Sequence, residues 1–142
     1  IELPVSNYIP DKYIAEQKLK IEVYRRLSQA NTLAQLSELE TELRDRFGPI
    51  PTAARRMIQL RELNLRALSW RVENVHLENG YAVFRYRDAK RIRMLSHLHK
   101  GHLRVVDAHD AYWPLEADET DGAAVLDELL ETFSAAQPPA PE

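Results

Sequence analysis

The spacing of hydrophobic residues divides this chain into two halves with different periods. Up to about residue 69, apolar side chains recur every three or four positions, which is the period of an amphipathic helix. Residues 1–14 contain two prolines and are predicted to be an extended lead-in. The three helices predicted after this lead-in cover about residues 15–28, 32–48 and 51–69.

The second of these helices carries sequence signals for both of its ends. Thr32 and Gln35 have the spacing of a capping box, in which each side chain binds a backbone N–H of the first turn. Gly48 followed by Pro49 is a strong signal for helix termination. The sequence therefore predicts where this helix begins and where it stops.

After residue 70 the pattern changes to strands and hairpins. Asn79-Gly80 lies between apolar residues and is a strong hairpin signal, because both positions accept positive φ. A basic helix is predicted from Asp88 to about Leu98, then a second hairpin, and a final helix from Gly122. Three helices followed by strand-strand-helix-strand-strand-helix predict an α+β fold with a small, mainly antiparallel sheet.

The predicted domain organisation is a single domain over residues 1–136, with a helical part at 15–70 and an α+β part at 72–136. The tail at 137–142 contains three prolines and is predicted to be disordered. No apolar run approaches the ~18 residues that span a bilayer, so no membrane contact is predicted. The chain opens without an initiator Met or a signal sequence, which suggests a fragment of a longer protein.

The composition gives little support for an enzyme. The chain has no cysteine, which excludes disulfides and thiolate chemistry, and its four glycines form no phosphate-binding loop. His97 and His99 are two residues apart at a helix end and point to different sides of it, so they do not converge on a metal ion. We therefore predict no catalytic residue, no cofactor and no metal site.

Charge is distributed unevenly along the chain, although the net charge is only -3. Residues 85–104 contain seven basic residues and one acid, whereas residues 116–142 contain eight acids and no base. The basic helix is an alternative contact patch for nucleic acid or RNA polymerase, with the aromatic residues of the first hairpin as a stacking surface. The basic residues of this alternative patch are Arg87, Lys90, Arg91 and Arg93.

The last turn of the second helix combines acids, bases and an aromatic ring. Glu42 and Asp45 are three residues apart and therefore adjacent on the helix surface. An acid at a helix C-terminus is unfavourable by about 0.3–1 kcal/mol, because the carbonyl end is already negative. Neighbouring arginines offset this cost in one interpretation, and an external cationic partner offsets it in the other. The candidate interdomain interface consists of Glu42, Asp45, Arg46 and Phe47.

Three segments closely resemble one protein family in both order and spacing. They read Tyr-Ile-Pro-Asp-Lys-Tyr-Ile at 8–14, Leu-Lys-Ile-Glu-Val-Tyr-Arg-Arg-Leu at 19–27, and Glu-Leu-Glu-Thr-Glu-Leu-Arg-Asp-Arg-Phe-Gly-Pro-Ile-Pro at 38–51. Together they resemble the C-terminal domain of the bacterial transcription-repair coupling factor. One departure is Ser69-Trp70, where relatives often have a glycine that ends the third helix.

This resemblance implies a regulatory domain that is not itself an enzyme. The parent protein is expected to be a cytoplasmic, ATP-dependent DNA translocase of transcription-coupled nucleotide excision repair, with RNA polymerase, UvrA and DNA as partners. The translocase motors would lie outside this chain. By analogy with the family, the domain packs on the N-terminal UvrB-like module of the same protein and masks its UvrA-binding surface. Glu42 and Asp45 match the family's acids that face basic residues of that module.

Overall fold

The structure is a computed structural model that describes residues 1–134, so the tail predicted to be disordered lies outside the described residues. The order of elements is the predicted one, and the α+β fold class is confirmed. The elements are α1 (Gln17–Gln29), α2 (Leu33–Phe47), α3 (Thr52–Ser69), β1 (Val72–Glu78), β2 (Tyr81–Tyr86), α4 (Ala89–Leu98), β3 (Arg104–Val105), β4 (Asp110–Pro114) and α5 (Gly122–Ser134).

The chain divides into two compact units. The helical unit consists of Val5–Leu65, and the α+β unit consists, among the described residues, of Ile1–Pro4 together with residues 66–134. The boundary falls within α3. A single domain over residues 1–136 therefore stays a prediction, and each unit is described by itself.

The helical unit has a continuous apolar core. The stripe predicted for α1 contributes Val23 and Leu27, which are buried, while Leu19 packs against the core from its edge. Leu33, which begins the apolar series of α2, is 40% exposed because it lies in the first turn. The buried residues of the core are Ile9, Ile14, Val23, Leu27, Ala30, Leu36, Leu39, Leu43, Ile50, Ala54, Met57 and Ile58.

The start of α2 is capped nearly as predicted. The Thr32 hydroxyl accepts a hydrogen bond from the Gln35 backbone N–H at 3.1 Å. The Gln35 side-chain oxygen accepts from the backbone N–H of Asn31 at 2.8 Å, one residue earlier than a capping box requires. Two N–H groups at the helix start are therefore satisfied by side chains.

The end of α2 is held by a residue of the extended lead-in. Gly48 closes the helix with φ 87° and ψ −166°, and its N–H donates to the carbonyl of Arg44 at 2.9 Å. The Tyr13 hydroxyl shares its proton between the carbonyl oxygens of Gly48 at 2.8 Å and Leu43 at 3.1 Å. The Tyr13 ring also lies 5.8 Å from the ring of Phe47. We call these contacts the Tyr13 clamp.

The sheet of the α+β unit is antiparallel, with strand order β1-β2-β4-β3. The predicted hairpin turn is present, with φ values of 50° at Asn79 and 82° at Gly80. Proline cannot donate to a strand ladder, so it is found on edge strands or at strand ends. The strand β4 lies between β2 and β3 and ends at Pro114, beyond the two residues that pair with β3.

Aromatic residues join α5 to the rest of the α+β unit. The rings of Phe84 and Phe133 stack with centroids 4.9 Å apart. The indole N–H of Trp70 donates to the carbonyl oxygen of Phe133 at 3.3 Å. After α3 ends, Arg71 adopts φ 60°, so this chain uses an arginine in the left-handed region next to the Ser69-Trp70 departure.

Within the α+β unit, α4 is fixed by its N-cap and by a buried arginine. The Asp88 carboxylate accepts hydrogen bonds from the backbone N–H groups of Lys90 and Arg91. Arg91 is 8% exposed, and its guanidinium donates to the Ser69 carbonyl at 2.5 Å. Leu98 is 40% exposed, since it is the last residue of the helix.

We expect Tyr13→Phe to lower the free energy of unfolding by about 0.5–1.5 kcal/mol, because the carbonyls of Leu43 and Gly48 lose their donor. Urea unfolding followed by circular dichroism measures this change. Tyr8→Phe is the matched control, because Tyr8 is 53% exposed and its hydroxyl has no partner among residues 1–134. Equal stability of the two variants would contradict the clamp.

We expect Arg91→Met to lower the free energy of unfolding by about 1.5–3 kcal/mol, because the Ser69 carbonyl loses a charged donor. Arg93→Met removes the same charge from an exposed position of α4 and should change stability by less than about 0.5 kcal/mol. Fluorescence of Trp70 and Trp113, both in the α+β unit, reports the unfolding. Similar losses in both variants would show that the Arg91 contact is not stabilising.

Candidate interdomain interface

The predicted interface residues lie on and beside one exposed face of α2. This face is opposite the buried leucines, because residues spaced by three and four share one side of a helix. It forms a shallow concavity of about 340 Å³. The residues lining the concavity are Ser37, Glu38, Thr41, Glu42 and Asp45. We call this surface the acidic face.

Glu42 is paired within the helical unit. Its carboxylate contacts the guanidinium of Arg26 on α1 and lies 3.5 Å from that of Arg46, one turn further along α2. The hydrogen bond from Arg26 holds the pKa of the Glu42 carboxyl below its usual range, with Arg46 contributing in the same direction. The local offset of charge, one of the two interpretations of this turn, therefore applies to Glu42.

The lowered pKa of Glu42 determines how the Arg26–Glu42 pair changes folding stability with pH. Because the folded state favours the carboxylate, the pair contributes stability above the ordinary glutamate pKa, and this contribution is lost as the pH falls through the lowered value. The side chains of Glu42 and Arg26 are both 38% exposed, so solvent screens the pair and its contribution is small.

Asp45 differs from Glu42 although the two acids share the acidic face. Asp45 is exposed, and within residues 1–134 its carboxylate has no ion pair or hydrogen bond. The carboxylate therefore remains available in the last turn of α2, where the backbone carbonyls already carry negative charge. An external cation would relieve this repulsion.

Arg46 and Phe47 have separate roles at the end of α2. Phe47 packs against the helical core and the Tyr13 ring, so it fixes the position of the turn. The guanidinium carbon of Arg46 lies 5.0 Å from the centroid of the Phe47 ring, and its side chain is 43% exposed. The predicted interface thus contains one structural anchor, Phe47, and three charged side chains.

Arg26 belongs to this surface although the sequence did not indicate it. It lies on α1, 16 residues from Glu42, and reaches the acidic face only because the two helices pack together. The acidic face is therefore mixed in charge, with Arg26 and Arg46 beside the acids Glu38, Glu42 and Asp45.

The alternative basic patch is smaller than predicted. Arg91 cannot contact phosphate as proposed, because it is buried and its guanidinium is bound to the Ser69 carbonyl. Arg87 is 79% exposed but donates to Glu73 at 2.5 Å. Lys90 and Arg93 remain exposed on α4.

The aromatic residues proposed for stacking on bases are mostly inaccessible. Phe84 is fully buried and Tyr86 is 6% exposed, and only Tyr81 is half-buried. Base stacking requires an accessible ring face. Of the three proposed rings, only that of Tyr81 therefore has a partly accessible face.

Metal-binding clusters and membrane-spanning helices are both absent from residues 1–134. No group of three or more histidine, aspartate or glutamate side chains is arranged to hold a metal ion. In the same residues, no helix has both the length and the apolar character needed to cross a membrane.

Comparison with known proteins connects these features to one family. A model of the TRCF domain matches residues 3–96, which is more than half of the chain. The transcription-repair-coupling factor of Haemophilus influenzae is 40% identical over 65 residues, which cover 46% of this chain and 6% of that protein. The Rickettsia bellii protein of the same name is 30% identical over 90 residues, which cover 63% of this chain and 8% of that protein. The matched region is thus a small part of these relatives.

A solved structure shows the same fold. It is a crystal structure of the C-terminal domain of transcription-repair coupling factor, which superposes with a TM-score of 0.74 at 21% sequence identity. The superposition covers 94% of this chain and 88% of that one. Because the family model matches more than half of the chain and the fold agrees, the chain belongs to the TRCF domain family.

Proposed function

We propose that this chain is a non-catalytic regulatory domain that packs on the N-terminal UvrB-like module of its parent protein and masks the UvrA-binding surface. The observation that carries the proposal is the unpaired carboxylate of Asp45 on the acidic face, at the end of α2. The parent is proposed to be a cytoplasmic ATP-dependent DNA translocase that acts on stalled RNA polymerase, with its motors outside this chain.

The chemistry of the acidic face supports a basic protein partner. An arginine of the partner can bind a carboxylate through two parallel hydrogen bonds, which gives geometric specificity as well as attraction. Asp45 needs no internal contact to be broken before it accepts such a bond. The Tyr13 clamp and the packing of Phe47 hold the end of α2 in place, so the acid is presented by a rigid element.

The exposure of the acidic face supports an interface that opens and closes. Exposed ion pairs contribute about 0–1 kcal/mol each, so a few of them hold two modules together without making release slow. In regulated proteins, the coupling free energy between two binding events is typically about 1–3 kcal/mol. We propose that masking of UvrA binding is controlled by an interface of this strength.

We expect Asp45→Arg to weaken binding to the separately expressed N-terminal module at least tenfold, because an acid–base contact becomes a repulsion between like charges. Fluorescence anisotropy of the labelled chain, titrated with the module, measures the dissociation constant. Glu131→Arg is the control, since it makes the same change of charge at an exposed position of α5. Unchanged binding by Asp45→Arg would remove the proposed surface.

Masking requires a second measurement, because binding to the module does not prove that UvrA is excluded. We expect UvrA to displace the chain from the module in a pull-down, and increasing amounts of chain to displace UvrA in turn. A stable complex of all three proteins would contradict masking while leaving the interface itself intact.

A further inference from the structure

We propose that Arg26 is an internal competitor for Glu42, which weakens the binding of the basic partner to the acidic face. This inference rests on the proposed function and adds a residue that regulates the same surface. It starts from the difference between the two acids, since Glu42 is occupied by arginine in the free chain and Asp45 is not.

The contact between Arg26 and Glu42 allows Arg26 to compete with an arginine of the partner. Arg26 comes from α1, and its guanidinium contacts the same Glu42 oxygen, Oε2, that lies 3.5 Å from Arg46. A bidentate contact from an incoming arginine uses both carboxylate oxygens of Glu42, so it competes with Arg26 for Oε2. Displacement is accessible, because the side chains of Glu42 and Arg26 are each 38% exposed and the freed guanidinium can return to water.

Competition makes the two acids contribute differently to the binding of the partner. At Asp45 the partner forms a contact where none existed. At Glu42 it replaces one arginine–carboxylate pair by another, so the net gain is small. The positive charges of Arg26 and Arg46 also repel a basic partner before contact is made. Arg26 therefore lowers the affinity of the acidic face without removing either acid.

The test is Arg26→Gln, with Arg25→Gln as a matched control. Both variants lose one positive charge from adjacent positions of α1, and the Arg25 side chain has no ion pair or hydrogen bond among the described residues. We expect Arg26→Gln to bind the N-terminal module about two- to fivefold more tightly, the effect of freeing one exposed pair. Arg25→Gln should change binding less than twofold.

A carboxyl NMR titration shows whether the internal pair exists in solution. We expect Arg26→Gln to move the pKa of Glu42 upward toward its ordinary value, because its principal hydrogen bond is lost. The Arg25→Gln variant should leave the titration of Glu42 unchanged. This measurement needs no partner, so it is independent of the binding result.

The outcomes separate this inference from the proposed function. If the natural chain does not bind the module, the proposed function fails and the inference fails with it. In the second case, the natural chain binds the module and Asp45→Arg abolishes that binding, as the proposed function requires. If Arg26→Gln then binds as tightly as the natural chain or more weakly, only the proposed competition by Arg26 is overturned. Equal tightening by Arg26→Gln and Arg25→Gln would also overturn it, because the effect would then be one of net charge.

Discussion

The hydroxyl of Tyr13 is the contact on which the helical unit and its acidic face depend. It donates to two backbone carbonyls at the end of α2, one of them inside the helix at Leu43 and the other at Gly48 beyond it. Burial raises the pKa of this hydroxyl above an ordinary value that already lies well above neutral pH, so the group is a proton donor. A residue of the extended lead-in thereby determines where the last turn of α2 lies and how its charged residues are presented.

This contact explains why two separated motifs occur together in the chain. The Ile-Pro-Asp-Lys-Tyr segment supplies the hydroxyl, and the Asp-Arg-Phe-Gly segment supplies the carbonyl and the ring that it meets. Each segment alone has an ordinary local explanation, as an extended stretch and as a helix end. Their combination is a tertiary contact across 35 residues, which local periodicity does not report.

The features predicted well from sequence are those with short-range causes. The cap at Thr32, the stop at Gly48 and the Asn79-Gly80 turn each depend on two to four neighbouring residues, and all three are present. The α+β class followed from the change of hydrophobic period after residue 70. These signals were sufficient because local preference and the final fold agree.

The features that sequence did not reveal depend on which side chains the fold brings together. Arg26 and Glu42 are on different helices, so their pairing required the packing of α1 against α2. Arg91 belongs to a basic series and resembled a surface residue, yet it is buried against the end of α3. Of the candidate interface, the positions of Glu42 and Asp45 on one face were predictable, but the difference in their partners was not.

Gly48 illustrates a constraint that comes from chirality and not from space. A methyl group added at its α-carbon would contact no other atom within 4 Å, yet φ 87° with ψ −166° is a conformation that L-residues avoid. Its mirror image is the ordinary extended region, which D-residues reach at these same angles. D-alanine introduced at this position by chemical synthesis would therefore adopt these angles without backbone strain and would restrict the unfolded chain, an effect of about 0.4–1 kcal/mol for compatible glycine replacements.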